Sequence, residues 1–406
     1  MEGNIAWVLI STALVLFMIP GLAFFYGGMV RAKNFLAMLM QNFFAMGLLA
    51  VIWALIGYSI AFGRFGDGGW FGGFAHLGLA DVGATDSLDI GLPTLLFAAF
   101  QMTFAMITPA LITGAAADRL KFSGYSVLIG VWLVVVYSPV AHWVFGGGWI
   151  AKMGALDFAG GAVVHINAGA AALAVVMVIG ARKGHGREPM PPHALPWTLL
   201  GTGILWFGWF GFNAGSALGA NGVAVQALMN TILAPAAAML GWLVLEKAKG
   251  GHATTLGGAS GAVAGMVAIT PCAGFVGAMP ALIVGFVAGG VCYLALFLKG
   301  ALKLDDALDV LAVHLVGGMF GSIALGLFAD KAVNAAVTNN GLFISGGGAE
   351  LLKDQVVASL AVFAFAFAAT YVIAKVIDVT MGLRVDEAVE DQGLDQALHA
   401  ETAYAF

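Results

Sequence analysis

Charge is what this sequence most lacks. Of its 406 residues only 10% are Asp, Glu, Lys or Arg, while 61% are hydrophobic. A soluble domain carries about 25% charged residues, so the chain is an integral membrane protein and the soluble-enzyme classes drop out. Cysteine is nearly absent. Cys272 and Cys292 are the only two and both fall in apolar segments, which supports neither a disulfide framework nor a cysteine metal site. No basic cluster points to nucleic acid, and no nucleophile-elbow motif points to a hydrolase. The opening MEGNIAW has no basic n-region, so no cleavable signal peptide is expected.

Glycine is abundant instead, with 58 residues, twice the usual share of about 7%. Much of it recurs every fourth residue, as in Gly211/Gly215/Gly219, Gly257/Gly261/Gly265, Gly285/Gly289 and Gly317/Gly321. Small residues at that spacing let helix backbones approach closely in lipid. A crossing needs about 20 apolar residues. Eleven runs qualify, over 5–26, 35–62, 92–117, 123–145, 160–181, 195–217, 222–245, 256–274, 280–300, 307–328 and 353–380. The expected fold is an all-α integral membrane protein of eleven transmembrane helices.

Basic residues set its orientation. Thirteen of the seventeen Lys and Arg residues fall on the side of the connections after odd-numbered helices, among them Arg31, Arg119, Arg182 and Lys299. The other side has Arg64, Lys152, Lys331 and Lys353. The N-terminus is therefore expected outside and the C-terminus in the cytoplasm. Helices 1–5 and 6–10 then run in opposite senses, as an inverted repeat requires. The expected organisation is a membrane domain over 1–382, with halves of about 1–182 and 195–328 and a final helix at 353–380. A polar tail follows over 383–406. Residues 67–92 form the longest outer loop.

Two histidines stand inside otherwise apolar helices. His165 lies in GGAVVHINAGAAALAVVMVIG and His314 in ALDVLAVHLVGGMFGSIALGL. An ionisable group in hydrocarbon is costly and faces a bundle interior or a substrate path. Ala155-Leu156-Asp157 precedes His165, and Ala307-Leu308-Asp309 precedes His314, which points to an internally duplicated transporter with a histidine pair at its centre. Asp309 is expected to cap the tenth helix, and Asp157 to brace the outer side through backbone groups. A closed metal site would need about four ligands, and metal binding at the histidine pair lacks that support.

Phe100 and Phe104, four residues apart, share a helix face in the outer half of the third helix. Phe145 ends the fourth helix and Ser216 the sixth, on the same outer side. Three aromatic faces and a hydroxyl suit a small cation. Phenylalanines in lipid helices more often simply pack, and spacing does not separate the two readings.

Three stretches resemble the ammonium transporter (Amt) family. They are Pro20–Arg31 (PGLAFFYGGMVR), Ala155–Gly161 (ALDFAGG) followed by Val164-His165-Ile166-Asn167, and Trp206–Ser216 (WFGWFGFNAGS). Gly393-Leu394-Asp395, Glu401 and Ala403-Tyr404 resemble that family's tail, so the likeness runs through the whole chain. It implies ammonium transport without catalysis or a cofactor, in a homotrimer with one pore per subunit in the cell (inner) membrane. Phe100, Phe104 and Ser216 would line the external ammonium site, supported by Asp157, and Phe100 and Phe212 would form a stacked gate. His165 and His314 would be the twin histidines of the pore, with Phe25 and Tyr26 along its inner half. A PII-type signalling protein would dock on the cytoplasmic face. Phe145 stands where the family usually has Trp, and Ala400 where it usually has Gly. An ammonium-binding sensor and a channel for small neutral solutes are the alternatives.

Overall fold

The computed structural model describes residues 2–88 and 91–404. Asp89 and Ile90 of the long outer loop lie outside the described residues. In chain order the main helices are α1 (Glu2–Met29), α2 (Ala32–Phe62), α3 (Thr94–Ala115), α4 (Phe122–Met153, broken over 145–148) and α5 (Gly161–Ile179). Then come α6 (Leu195–Trp209), α7 (Gly222–Gly250), α8 (Thr255–Ile269), α9 (Ala278–Ala301), α10 (Leu311–Phe328) and α11 (Ala349–Met381). Among the described residues, nine of these are long and apolar enough to cross a membrane. The other two, α6 and α8, stand where spans were expected but have 15 residues each. α6 continues without interruption through Phe210–Ala214.

Large apolar side chains such as Phe17, Leu240, Phe286 and Val372 face outward, as a lipid-facing surface requires. Glycine governs how closely the helices pack. α7 and α9 lie backbone to backbone: a methyl on Gly285 or Gly289 would overlap the carbonyls of Ala234 and Ala238. This is the close approach that the four-residue glycine spacing implies.

Among the described residues, five helical stretches widen into π turns: Trp53–Gly57, Leu133–Tyr137, Gly161–Ile166, Phe210–Ala214 and Leu311–Val316. Such turns recur at functional sites. Here one contains His165, one Phe212 and one His314.

The connections gather at two ends of the bundle. At the loop end, Gly66 and Gly68 N–H donate to Gly146 and Gly147 carbonyls, and Phe158 N–H donates to Pro271. At the tail end, the chain closes with α12 (Glu387–Gln392) and α13 (Leu394–His399). Asp395 accepts from Leu36 and Ala37 N–H at 3.0 and 2.8 Å, which caps the start of α2. Leu394 N–H donates to Asn34 Oδ1 at 2.8 Å. The tail is thus packed onto the same end that carries Arg31, Arg119 and Arg182.

Candidate functional site

The two histidines meet at the centre. Their Nδ1 atoms are 3.2 Å apart, their ring centroids 5.3 Å apart, and both side chains are buried. The approach needs glycine at one position in each helix. A methyl on Gly169 would lie 2.6 Å from Leu315 N, and one on Gly318 would lie 3.1 Å from Ile166 N. Each glycine stands four residues after its histidine, and each touched residue directly follows the partner histidine. The contact is reciprocal.

Two ring nitrogens at this distance share one proton: one ring donates from Nδ1 and the other accepts. His165 Nε2 is buried with no hydrogen-bond partner among the described residues. A cavity of about 10 Å³ lies against the pair, lined by Met18, Leu22, Phe25, Ile107, Leu111 and Phe212 with both histidines. That is room for about one water-sized molecule. Trp209 stacks on His165 at 5.6 Å, and its indole N–H is fixed on Thr270 Oγ1 at 3.0 Å. A cation in this cavity would lose its water and meet no anion, whereas a small neutral donor and acceptor would meet imidazole nitrogens.

Toward the loop end, Phe212 faces Phe104 at 4.4 Å with a 32° tilt. Phe100 stands edge-on to Phe104 at 5.0 Å, one helical turn further out. The expected stacking of Phe100 on Phe212 is not found among the described residues; the ring that faces Phe212 is Phe104. The reason is depth, because Phe104 is the turn of α3 level with the wide turn that carries Phe212. Phe100 lies instead beside the backbone of Gly215, where an added methyl would sit 3.1 Å from its ring. Ser216 Oγ donates to Phe212 O at 2.8 Å. Phe145 is half-buried at the break in α4 and makes no ring contact among the described residues.

Asp157 has a definite local role. Its carboxylate accepts from the N–H groups of Gly160, Gly161, Ala162 and Val163 at 2.6–3.2 Å. These are the orphan donors at the start of α5, so Asp157 fixes the turn that carries His165. Phe25 lines the cavity, but Tyr26 turns aside: its hydroxyl donates to Leu111 O at 3.3 Å and its ring lies against Gly114.

Asp309 does not cap α10. It takes a positive φ of 62° and pairs with Lys299. The cap is Asp306, which accepts from Val310 and Leu311 N–H at 3.1 and 2.7 Å. The repeated Ala-Leu-Asp triplet misleads here. The informative spacing is eight residues, from Asp157 to His165 and from Asp306 to His314. Trp209 was equally readable as a member of WFGWFGF, but only contact shows which of its aromatics stacks on a histidine.

At the tail end, a network of charges ties the two halves together. Arg119 is fully buried, donating to the carbonyls of Ala117, Gly180 and Asp305. Arg182 holds Asp305 at 2.8 Å and Asp118 at 3.2 Å, and Arg31 holds Asp118 at 3.1 Å. Burial lowers Arg119 to about 10. Burial pushes Asp305 up, but the hydrogen bonds of Arg182 and the charge of Arg119 outweigh it and hold the carboxyl well below its usual range. Asp306, next in sequence, goes the other way. Burial and then the neighbouring Asp309 raise it to about 7.

These features define a multi-pass helical membrane protein with a buried, nearly apolar site. The model of the Ammonium Transporter Family matches residues 6–404. An ammonium transporter of Mycobacterium tuberculosis is 49% identical over all of this chain and 90% of its own length. Ammonium transporter Amt1 of Archaeoglobus fulgidus is 46% identical over 99% of both chains. The crystal structure of Candida albicans Mep2 superposes with a TM-score of 0.89 at 36% identity, covering 96% of this chain and 87% of that one. A solved sensor Amt protein superposes at 0.90 with 27% identity, covering 98% of both. The chain belongs to the ammonium transporter family, and its activity is ammonium transport.

Proposed function

We propose that this protein recruits ammonium at the loop end, removes one proton, and passes ammonia through the cavity beside His165 and His314. The observation that carries this reading is the Nδ1–Nδ1 contact in a buried, almost wholly apolar cavity. Ammonium and potassium have the same charge and similar size, but only ammonium can give up a proton. A passage that excludes bare cations therefore selects for it. Phe100, Phe104, Phe145 and Ser216 form the recruiting site, where ring faces and a hydroxyl receive the cation. Phe104 and Phe212 separate that site from the histidines, and Asp157 holds the turn between them. Ammonia crosses hydrogen-bonded to the imidazoles. The released proton crosses separately along the histidine pair, one ring accepting as the other donates, and rejoins ammonia at the tail end.

In this reading α6 and α8 complete eleven crossings, the loop end is outside, and the tail end is cytoplasmic. The protein works as a homotrimer in the cell membrane. The tail from Arg384 onward, with the basic connectors around it, is the surface for a PII-type signalling protein.

The test is reconstitution in liposomes, with currents recorded after an ammonium jump and an equal potassium jump. Current for ammonium alone is expected. Equal currents for both ions overturn the deprotonation step. Binding of ammonium with neither current nor internal pH change favours the sensor reading. Uptake of labelled methylamine that ammonium does not compete for favours a neutral-solute channel.

A further inference from the structure

Asp306 stands to His314 as Asp157 stands to His165. Each lies eight residues upstream and accepts N–H groups at the entrance to a wide turn that holds the histidine. We propose that Asp306 is a positioning residue for ammonia conduction: its charged carboxylate fixes the start of α10, and so holds the His314 ring against His165, with Lys299 maintaining that charge. The inference rests on the reading that the histidine pair lines the path.

The geometry favours an adjustable cap. Asp157 is saturated, each of its oxygens accepting two backbone N–H groups. Asp306 accepts one on each oxygen. Around it, one charged pair stands against otherwise apolar walls. Lys299 on α9 pairs with Asp309 and reaches the Asp306 carbonyl at 3.4 Å. All three residues line a cavity of about 100 Å³ whose other walls include Leu311 and Leu315. From α1, Tyr26 faces the same turn: its ring and Val310 both press on Gly114. Asp305 is turned away, onto Arg119 and Arg182.

A carboxylate accepts N–H bonds more strongly than a neutral carboxyl does. Burial, and then Asp309, raise Asp306 to about 7, while the Lys299 ammonium opposes the rise. The cap therefore weakens as the pH on the tail side falls below about 7. Loosening it frees the wide turn and misaligns His314, which slows conduction but leaves recruitment at the loop end untouched.

The experiment compares wild type, Asp306→Asn and Lys299→Met in liposomes, with ammonium uptake measured per folded protein over internal pH values on both sides of 7. Wild type is expected to lose maximal rate as internal pH falls. Asp306→Asn is expected to give a low, flat profile with the half-saturating concentration of wild type. Lys299→Met is expected to move the midpoint to higher pH. Wild-type and Asp306→Asn profiles that coincide overturn the proposal, as does a change in half-saturation alone. If Asp306→Asn does not fold, the midpoint of Lys299→Met decides. Histidine ¹⁵N NMR supplies a readout free of transport, with the Nδ1 signals of the pair expected to change in Asp306→Asn. If wild type takes up no ammonium, the parent reading fails, and unchanged Nδ1 signals would then overturn the positioning role by themselves.

Discussion

The two half-sites around the histidines follow one plan with different settings. In the first half, Asp157 caps the turn before His165 with four backbone hydrogen bonds and has no ion pair among the described residues. In the second, Asp306 caps the turn before His314 with two, beside the Lys299–Asp309 pair. The shared plan places two imidazoles in contact. The differences make the loop-end cap rigid and leave the tail-end cap open to charge. The surroundings differ too: aromatic rings lie beyond His165, and a salt-bridged network lies beyond His314.

The comparison is broken most completely by removing what both halves deliver. His165→Leu with His314→Leu should reduce ammonium current to background in liposomes, because no imidazole remains to bond ammonia or relay its proton. A full-sized current in that double variant would sink the relay.

Next come the glycines that bring the halves together. Gly169→Ala and Gly318→Ala should each destabilise the fold by about 1–3 kcal/mol, the usual cost of overpacking. Gly169 should cost more, because its methyl would be 2.6 Å from the Leu315 backbone nitrogen, against 3.0–3.1 Å to His165 Cβ, Gly161 O and Ile166 N at Gly318. Thermal unfolding in detergent reads this directly, and equal losses would show that the crossing is more symmetric than the distances indicate.

The caps should differ in the same sense. Asp157→Ala strands four N–H groups and Asp306→Ala two. With a cap worth about 0.5–2 kcal/mol, Asp157→Ala should lower the unfolding temperature further. The reverse order would mean that the Lys299 pair matters more than the cap.

The charge setting shows in the pH dependence of stability. Asp306 is raised, so the folded protein holds its proton more tightly than the unfolded chain does. Its contribution is therefore lost as pH rises from about 4 to about 7. Asp305 is depressed by its arginines, so it stabilises above the unfolded value and loses that effect as pH falls below about 4. Asp306→Asn should shrink the first trend, to which the burial-raised Asp395 also contributes, and leave the second, as unfolding temperature against pH would reveal.

The smallest effect belongs to the proposed recruiting site. Phe145→Trp supplies a stronger cation–π face, worth about 0.5–1 kcal/mol, and should lower the half-saturating ammonium concentration roughly two- to fivefold. An unchanged value would mean that Phe145 does not touch the cation.

Much of this was readable along the chain. Low charge and long apolar runs mark a membrane protein because hydrocarbon tolerates little else. Two histidines in such runs mark the centre for the same reason. Even Asp306 was readable, since its eight-residue offset repeats that of Asp157, but the louder Ala-Leu-Asp triplet concealed it. The ring contact with Phe212 was not readable. Phe100 and Phe104 share one helix face, and which of them meets Phe212 depends on how deep α3 and α6 sit against each other.

Composition and periodicity therefore determined the environment, the helices and the residues too costly to be accidental, because those follow from transfer energies of single residues into lipid. The tertiary structure alone decided the partners: Nδ1 against Nδ1, Phe104 against Phe212, and Lys299 with Asp309 beside Asp306. Such contacts depend on the register and crossing of separate helices, which close approach at Gly169 and Gly318 sets and which no single segment encodes.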